Sequence, residues 1–509
     1  MNPPCPHKVG QGGFILRIRT SIFYSALILT AVNLLLRLTG TAFHVYLSRQ
    51  IGAAGIGLLQ LILSVTALAS TAATAGIRTG TMYLTAEEIG KKRPANVFWI
   101  LSGAILYSIL FSISVGAALY YFAPLLAEKW IGNGAAVNAI RLYAAFLPVN
   151  CLCGVMTGYF TAAGRVLALA LVEIIEQFLS IIVTFLSLLF WANNDPGRAC
   201  QCVIIGGCTG ALFTLCCLIL LRLKEHPGKS ARISVRKRIT DTALPLGLAD
   251  DLKAGISTTE NLMVPKRLGM FPGASNPVAV FGTVCGMVFP LLMLPCAVLF
   301  GLTELLVPEM ARCNAAGNQQ RIRYLMERSL KLVVIYGSLF AGLLFALAEP
   351  LCLKLYRSAD AGNYLQLYAP LALMLYTDIV TDAMIKGLGQ QRASVRYNIL
   401  TSSMDVVLLF VLLPRYGMTG YFLSFTVTHA INFFLSIRRL VQITNQPPPI
   451  RCAVTCIICA IAGVLTVIMV HGALWKAAVF FCVYFSCLSL LRGISREDLH
   501  WLKTIVKIK

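Results

Sequence analysis

Apolar stretches about twenty residues long, parted by short polar interruptions, follow one another from Ile22 to Leu491. That length suits an α-helix crossing a hydrocarbon core of about 30 Å, whereas a membrane barrel would show runs of about ten residues with alternating polarity. The stretches fall near 22–47, 57–83, 96–122, 138–163, 166–191, 200–222, 241–264, 278–307, 329–348, 364–386, 395–413, 418–437, 452–471 and 474–491. The pattern predicts an all-α polytopic membrane protein of about fourteen transmembrane helices, because in lipid each helix satisfies its own backbone polar groups.

Composition leaves little room for anything else. Of 509 residues, 58% are hydrophobic and 13% charged, and the mean hydropathy is +0.77. A sizeable catalytic domain outside the membrane is excluded. The formal charge of +22 would suit nucleic acid only if it gathered on one soluble face. Here the basic residues are spread between apolar segments, so nucleic acid is not an expected partner. The seventeen cysteines lie mostly within apolar runs, where Cys behaves as a small hydrophobe. The Cys456/Cys459 pair has no nearby His and reads as packing, with no metal or other cofactor expected.

With the N-terminus inside, about 31 of the 43 Lys and Arg residues fall on inner flanks, a bias that sets orientation. Both termini are expected on the cytoplasmic side of a multi-pass protein in a bacterial plasma membrane. The run RLKEHPGKSARISVRKR at 222–238 is the longest polar interruption. It divides the chain into a six-helix lobe over 1–223, a basic linker over 224–240, a second six-helix lobe over 241–440, and two further helices with a short interfacial C-terminal helix over 441–509. The lobes repeat faintly. Leu142-Tyr143-Ala144 recurs as Leu367-Tyr368-Ala369, 225 residues on, and the same offset takes Gly76 to Gly301 and Gly164 to Gly389. Six segments per lobe give both the same orientation, the parallel-repeat design in which substrate sites lie between the halves.

Ionisable groups inside these segments cost about 2.5–3.5 kcal/mol each, so they mark candidate function. Asn33, Arg37 and His44 form one polar stripe on the first segment. The seventh holds Asp250, Asp251, Lys253 and Glu260, with Asp250 and Lys253 spaced to pair on one face. Arg37 stands 15 residues before Gly52 and Lys253 16 before Gly269, which places one cation in each lobe at similar depth. A cationic cavity follows, suited to phosphate, with Arg37 and Lys253 as its binding groups and Asn33 and His44 beside them. Carboxylates form a second set: Glu173 and Glu176 in the fifth segment, Asp378 and Asp382 in the tenth, Asp405 in the eleventh. With Asp250, Asp251 and Glu260 they can couple transport to Na+ or H+ or control gating, and their structural alternative is to balance Arg37, Lys253 or Lys386. Glu304, Glu309 and Glu349 lie near helix ends and read as solvated.

The stretch NLLLRLTGTAFHVYLSRQIGAAGIGLLQLI at 33–62, continued by AGIRTGTMYLTAEE at 75–88, and PLGLADDLKAGISTTENLMVPKRLG at 245–269 resemble the stage V sporulation protein B and polysaccharide-flippase branch of the multidrug/oligosaccharidyl-lipid/polysaccharide (MOP) exporter superfamily. The resemblance implies two six-helix lobes plus two C-terminal helices, alternating access, and movement of an undecaprenyl-linked cell-wall or polysaccharide precursor, in spore cortex peptidoglycan synthesis among other settings. Its partners would be a lipid-linked oligosaccharide and membrane lipids. Two departures stand out: Ala54 and Leu59 replace a Glu and a Tyr common in the family's turn, and Phe43 and His44 stand where related lipid II flippases carry further arginine. The phosphate-binding role therefore carries over to Arg37 alone. A cation-coupled drug exporter of the same superfamily is the main alternative, although its cavity would favour carboxylates and aromatics over cations. An integral-membrane glycosyltransferase or ligase fits less well, for want of a catalytic loop or motif.

Overall fold

The structure, a computed structural model, describes residues 11–91, 93, 96–192, 195–223, 235–273 and 275–491. Most of the predicted linker and the whole predicted C-terminal helix lie outside the described residues. The first lobe comprises α1 (Gln11–Thr74), α2 (Ile77–Gly90), α3 (Val97–Leu125), α4 (Ala136–Ala162), α5 (Val166–Trp191) and α6 (Pro196–Leu223). The second comprises α7 (Arg236–Leu268), the short α8 (Pro277–Phe281) and α9 (Phe289–Met293), α10 (Cys296–Ala315), α11 (Gln319–Tyr356), α12 (Ala359–Tyr368), α13 (Ala372–Gly387) and α14 (Gln391–Thr444). α15 (Ile450–Val467) and α16 (Ala473–Leu490) follow.

Two of these helices fold back on themselves. Gly417 takes φ +57° and ψ −135° inside α14, and Ser424 then hydrogen-bonds Asp405 at 2.6 Å. Nineteen residues of straight helix would hold those groups about 28 Å apart, so α14 is a hairpin of two crossings. Gly52, at φ +68°, does the same in α1: Ile56 and His44, on opposite sides of the turn, both reach Gly286. Glycine is needed at both corners because the chain there leaves the region open to other L-residues.

Nine described helices are long and apolar enough to cross a membrane, and a pair bent by 58° at Pro295 makes a tenth crossing. Counting each hairpin twice and adding the more polar α7 and the α12–α13 stretch gives the fourteen crossings expected. Two crossings are less regular than the apolar runs suggest. The second breaks at Ala75 and Gly76, both at positive φ. The eighth contains a π turn over Gly282–Val288 before its bend.

The 225-residue offset recurs in the backbone. Gly164 and Gly389 both lie in the left-handed region. The Ala163, Gly164 and Arg165 amides bond to Tyr159, Thr161 and Phe160 just as those of Leu388, Gly389 and Gln390 bond to Met384, Lys386 and Ile385. This is the glycine helix stop, with orphan carbonyls taken up by the turn that follows. Gly132 and Arg357, one offset apart, also share positive φ. The offset does not carry Gly76 onto Gly301: Gly76 ends a helix at φ +71°, whereas Gly301 is buried inside α10.

α7 joins the lobes. Its N-terminal half lies on α2 through glycines: a Cβ on Gly76 would stand 2.2 Å from the Ala243 carbonyl oxygen, and one on Gly247 2.9 Å from the Ala75 Cα. At its start Arg238 donates to Glu87 at 2.9 Å and to Glu88 at 2.9 Å. Glu88 is only 3% exposed and also accepts from Asn96 at 2.8 Å. The C-terminal half of α7 turns to α14, where the Arg267 guanidinium lies 3.3 Å from the centre of the Phe410 ring.

Candidate functional site

The predicted site residues divide into four neighbourhoods, positioned mainly by α1 and α7. Asn33, Arg37 and His44 share the first limb of α1, as their spacing requires, and this limb faces the second lobe. Asn33 donates to Glu304 of α10 at 3.1 Å, so Glu304 touches the first lobe while staying exposed, as expected of a group near a helix end. One turn on, the Arg37 guanidinium sits 4.8 Å from the centre of the Phe300 ring, a cation–π contact. Among the described residues no carboxylate lies within ion-pair distance of Arg37. His44 lies against the Gly286 backbone with its Nδ1 buried and unpartnered.

Lys253 is exposed on α7 and, like Arg37, has no ion-pair partner among the described residues. The expected Asp250–Lys253 pair does not form, and both residues are exposed. Asp251 lies near Thr71 of the first lobe, with one carboxylate oxygen buried and unpartnered. No hydrogen bond links Lys253 to the Arg37 stripe. The two cations are thus placed on the two helices that connect the lobes but are not in contact.

Glu173 and Glu176 line a cavity of about 390 Å³ between α1 and α5, together with Leu36, Gly40, Phe43 and Gln177. Gln177 fixes this wall by donating to the Leu36 carbonyl at 2.9 Å. Glu176 accepts from Thr214 at 2.7 Å, while the charge nearest Glu173 from another helix is Arg78. The cavity shares α1 with the Arg37 stripe, but Asn33, Arg37 and His44 do not line it.

The densest polar cluster joins α7 to α14. Asp405, 5% exposed, accepts from Ser424 at 2.6 Å and from Thr428 at 3.3 Å. Glu260 of α7 stands beside it, so two carboxyl groups share one buried neighbourhood. Tyr421 and Cys285, their polar atoms 3.8 Å apart, and His429 close the surrounding shell. Two carboxyl groups in so dry a site suit a shared proton or a cation between them.

Asp378 and Asp382, expected to act as a pair, face separate partners. Asp378 accepts from Asn432 at 2.8 Å, and its other oxygen is buried without a partner. Asp382 holds Lys386 at 2.5 Å and accepts from Ser394. Asp382 is thus the counter-ion of Lys386, the structural alternative, while Asp378 remains uncompensated.

Ser424, Thr428, Asn432 and Ser436 supply partners that a search for charges passes over. All four are buried on α14, and their spacing of four residues on an otherwise apolar helix was a readable signal of a polar seam.

On the side of the molecule holding the Gly52 corner, the lobes are closed. A Cβ on Gly57 would stand 2.1 Å from the Val278 oxygen, and one on Gly282 2.1 Å from the Ala53 oxygen. Two cations bridge the seam to backbone carbonyls. Arg49 of α1 donates to Leu355 at 2.6 Å and also to Lys354, both in the last turn of α11. Lys266 of α7 reciprocates, donating to the Lys129 carbonyl at 2.6 Å.

Residues 22–242 match the model of the polysaccharide biosynthesis protein family. Stage V sporulation protein B of Bacillus subtilis (strain 168) is 22% identical over 400 residues, 76% of this chain and 77% of that protein. Among solved structures, the lipid II flippase MurJ in an inward closed conformation aligns with a TM-score of 0.69 at 12% identity, covering 91% of this chain and 98% of that one. An inward-facing multidrug resistance MATE family transporter of the MOP superfamily aligns with a TM-score of 0.66 at 15% identity, covering 82% and 99%. Over residues 22–242 the chain is thus similar to polysaccharide biosynthesis proteins and over most of its length to stage V sporulation protein B, which supports a transporter role of the flippase kind, and its fold is that of these multi-pass membrane proteins.

Proposed function

We propose that this protein carries an undecaprenyl-linked cell-wall or polysaccharide precursor across the bacterial cytoplasmic membrane by alternating access, with both termini in the cytoplasm. The observation that carries this reading is Arg37, an intramembrane guanidinium at the lobe interface with no carboxylate to neutralise it. An unpaired charge there is costly unless a substrate supplies its counter-charge, and guanidinium binds phosphate through two parallel hydrogen bonds. Lys253 supplies a second point charge from the other connecting helix. The relative from Bacillus subtilis belongs to sporulation, and one structural neighbour is a lipid II flippase; both support a lipid-linked glycan as the cargo.

The Glu260–Asp405 pair is the coupling site in this reading. It binds H+ or Na+ where α7 meets α14, so occupancy sets how firmly α7 is held by the second lobe. Depletion of the protein should make a lipid-linked intermediate accumulate on the cytoplasmic leaflet, and Arg37→Lys should restore export only in part while Arg37→Met restores none. Full export with Arg37→Met would end the phosphate-binding reading. Efflux of cationic drugs with no effect on lipid intermediates would support the multidrug alternative.

A further inference from the structure

A groove on the opposite face of the second lobe lies far from the Arg37 stripe along the chain and shares none of its residues. α15 and α16 pack on α11 through Phe480, whose ring would lie 2.6 Å from a Cβ on Gly342. Beside this contact an apolar cleft of about 320 Å³ opens, walled by Ala341, Gly342 and Phe345 of α11, Leu373 of α13 and Ala460 and Ile461 of α15. It continues past Phe345 into a second cavity of about 180 Å³, where Glu349, Gln366 and Lys476 join an otherwise apolar wall. Phe345 and Val464 line both. The groove therefore has one apolar shaft and one charged mouth.

Its length is that of a leaflet. From Ser338 to Pro350 the shaft and mouth follow α11 for about 18 Å at 1.5 Å per residue, against about 15 Å for half a hydrocarbon core. The mouth carries one cation and one anion that do not neutralise each other: among the described residues neither Glu349 nor Lys476 has an ion-pair partner. A ligand that fits must bring an acyl chain, an anion and a cation with N–H donors, in that order away from the membrane centre.

We infer that this groove is a binding site for a phospholipid with a primary-amine headgroup, of the phosphatidylethanolamine type: its acyl chain lies along α11 and α15, its phosphate meets Lys476 and its ammonium meets Glu349. An anionic glycerol headgroup would satisfy Lys476 but set a like charge near Glu349. A choline headgroup would offer Glu349 no hydrogen bond. By the Lys/Arg distribution the mouth faces the external leaflet. The site is independent of the proposed cargo, and a bound phospholipid would brace α15 and α16 against the second lobe.

Native mass spectrometry of the purified full-length protein, titrated with phosphatidylethanolamine or phosphatidylglycerol in matched detergent, tests this directly. The ethanolamine lipid should bind about tenfold more tightly, the scale of one charge-assisted hydrogen bond. Glu349→Gln should abolish that preference. Lys476→Gln should weaken both lipids, and Ile461→Trp, at an exposed position on the shaft wall, should block binding without loss of fold. Equal binding of the two lipids by the unaltered protein would overturn the inference. So would a preference that survives both Glu349→Gln and Ile461→Trp, or undecaprenyl diphosphate displacing the phospholipid from this groove. Failure here leaves the flippase reading standing, because binding is read without transport.

Discussion

Replacing Arg238 by Met should release the N-terminal end of α7 from α2. Two hydrogen bonds are lost, one to Glu87 at 2.9 Å and one to Glu88 at 2.9 Å, and they are unequal. Glu87 is 43% exposed and Glu88 3%. An exposed pair is worth about 0.2–1 kcal/mol, whereas a hydrogen bond to a charged group out of water is worth about 1.5–3 kcal/mol. Arg238 itself is 35% exposed, which moves the estimate to the lower part of that range, about 2 kcal/mol in all. Glu88 keeps Asn96 but loses its counter-charge. Two kcal/mol corresponds to roughly a thirtyfold change in the equilibrium between latched and released α7. Hydrogen–deuterium exchange of amides 239–247 in Arg238→Met should therefore quicken by about thirtyfold, with amides 256–264 little changed, while Glu87→Gln should quicken the same segment about twofold. Unchanged exchange in Arg238→Met, or an equal effect of Glu87→Gln, would refute the assignment of the latch to the buried Glu88.

Arg49→Met should loosen the closed side of the lobe seam, so that a cysteine introduced at Ser64 reacts about tenfold faster with an impermeant thiol reagent; no change would mean that glycine packing alone closes it. Lys253→Met and Lys253→Met with Asp250→Asn should show the same loss of export, since no ion pair joins the two residues, and rescue by the second change would make Lys253 a counter-ion. Gly417→Ala should lower thermal stability by about 1–3 kcal/mol, because φ is +57° and the new Cβ would stand 2.9 Å from the Phe271 ring. Gly389→Ala, at φ +77° with open space around it, should cost about 1 kcal/mol, and equal melting of the two variants would remove the steric part of the argument.

The crossings were legible because apolar length is a property of single segments. α5 begins and ends where the pattern placed it, at Val166 and Trp191. The breaks were not, because they depend on neighbours: Gly76 interrupts the second crossing where α7 must approach to within a hydrogen-bonding distance of backbone. Charges inside the membrane were equally visible, but their pairing was not. Helical spacing grouped Asp378 with Asp382, yet partners on α14 and Lys386 separate them. Glu260 and Asp405, 145 residues apart, meet only once the Gly417 corner brings the two limbs of α14 together beside α7. No spacing rule reaches that far, although the Ser424–Thr428–Asn432–Ser436 seam announced that α14 had buried polar business.

α7 is fixed at both ends to bodies that alternating access must rotate against each other. Its first turns are pinned to the first lobe by Arg238 and the glycine contacts, while its C-terminal half is held by both lobes, through Thr258, Asn261 and Lys266 to the first and Arg267 to the second. A rod so mounted cannot stay idle: relative rotation of the lobes has to appear as bending or twisting in the span between, where Gly255 has no neighbour within 4 Å of a would-be Cβ. On the coupling proposed above, the Glu260–Asp405 contact is the ion-dependent clamp at one end of this span, and a stiffer middle to α7 should then uncouple cargo movement from the ion without touching either site.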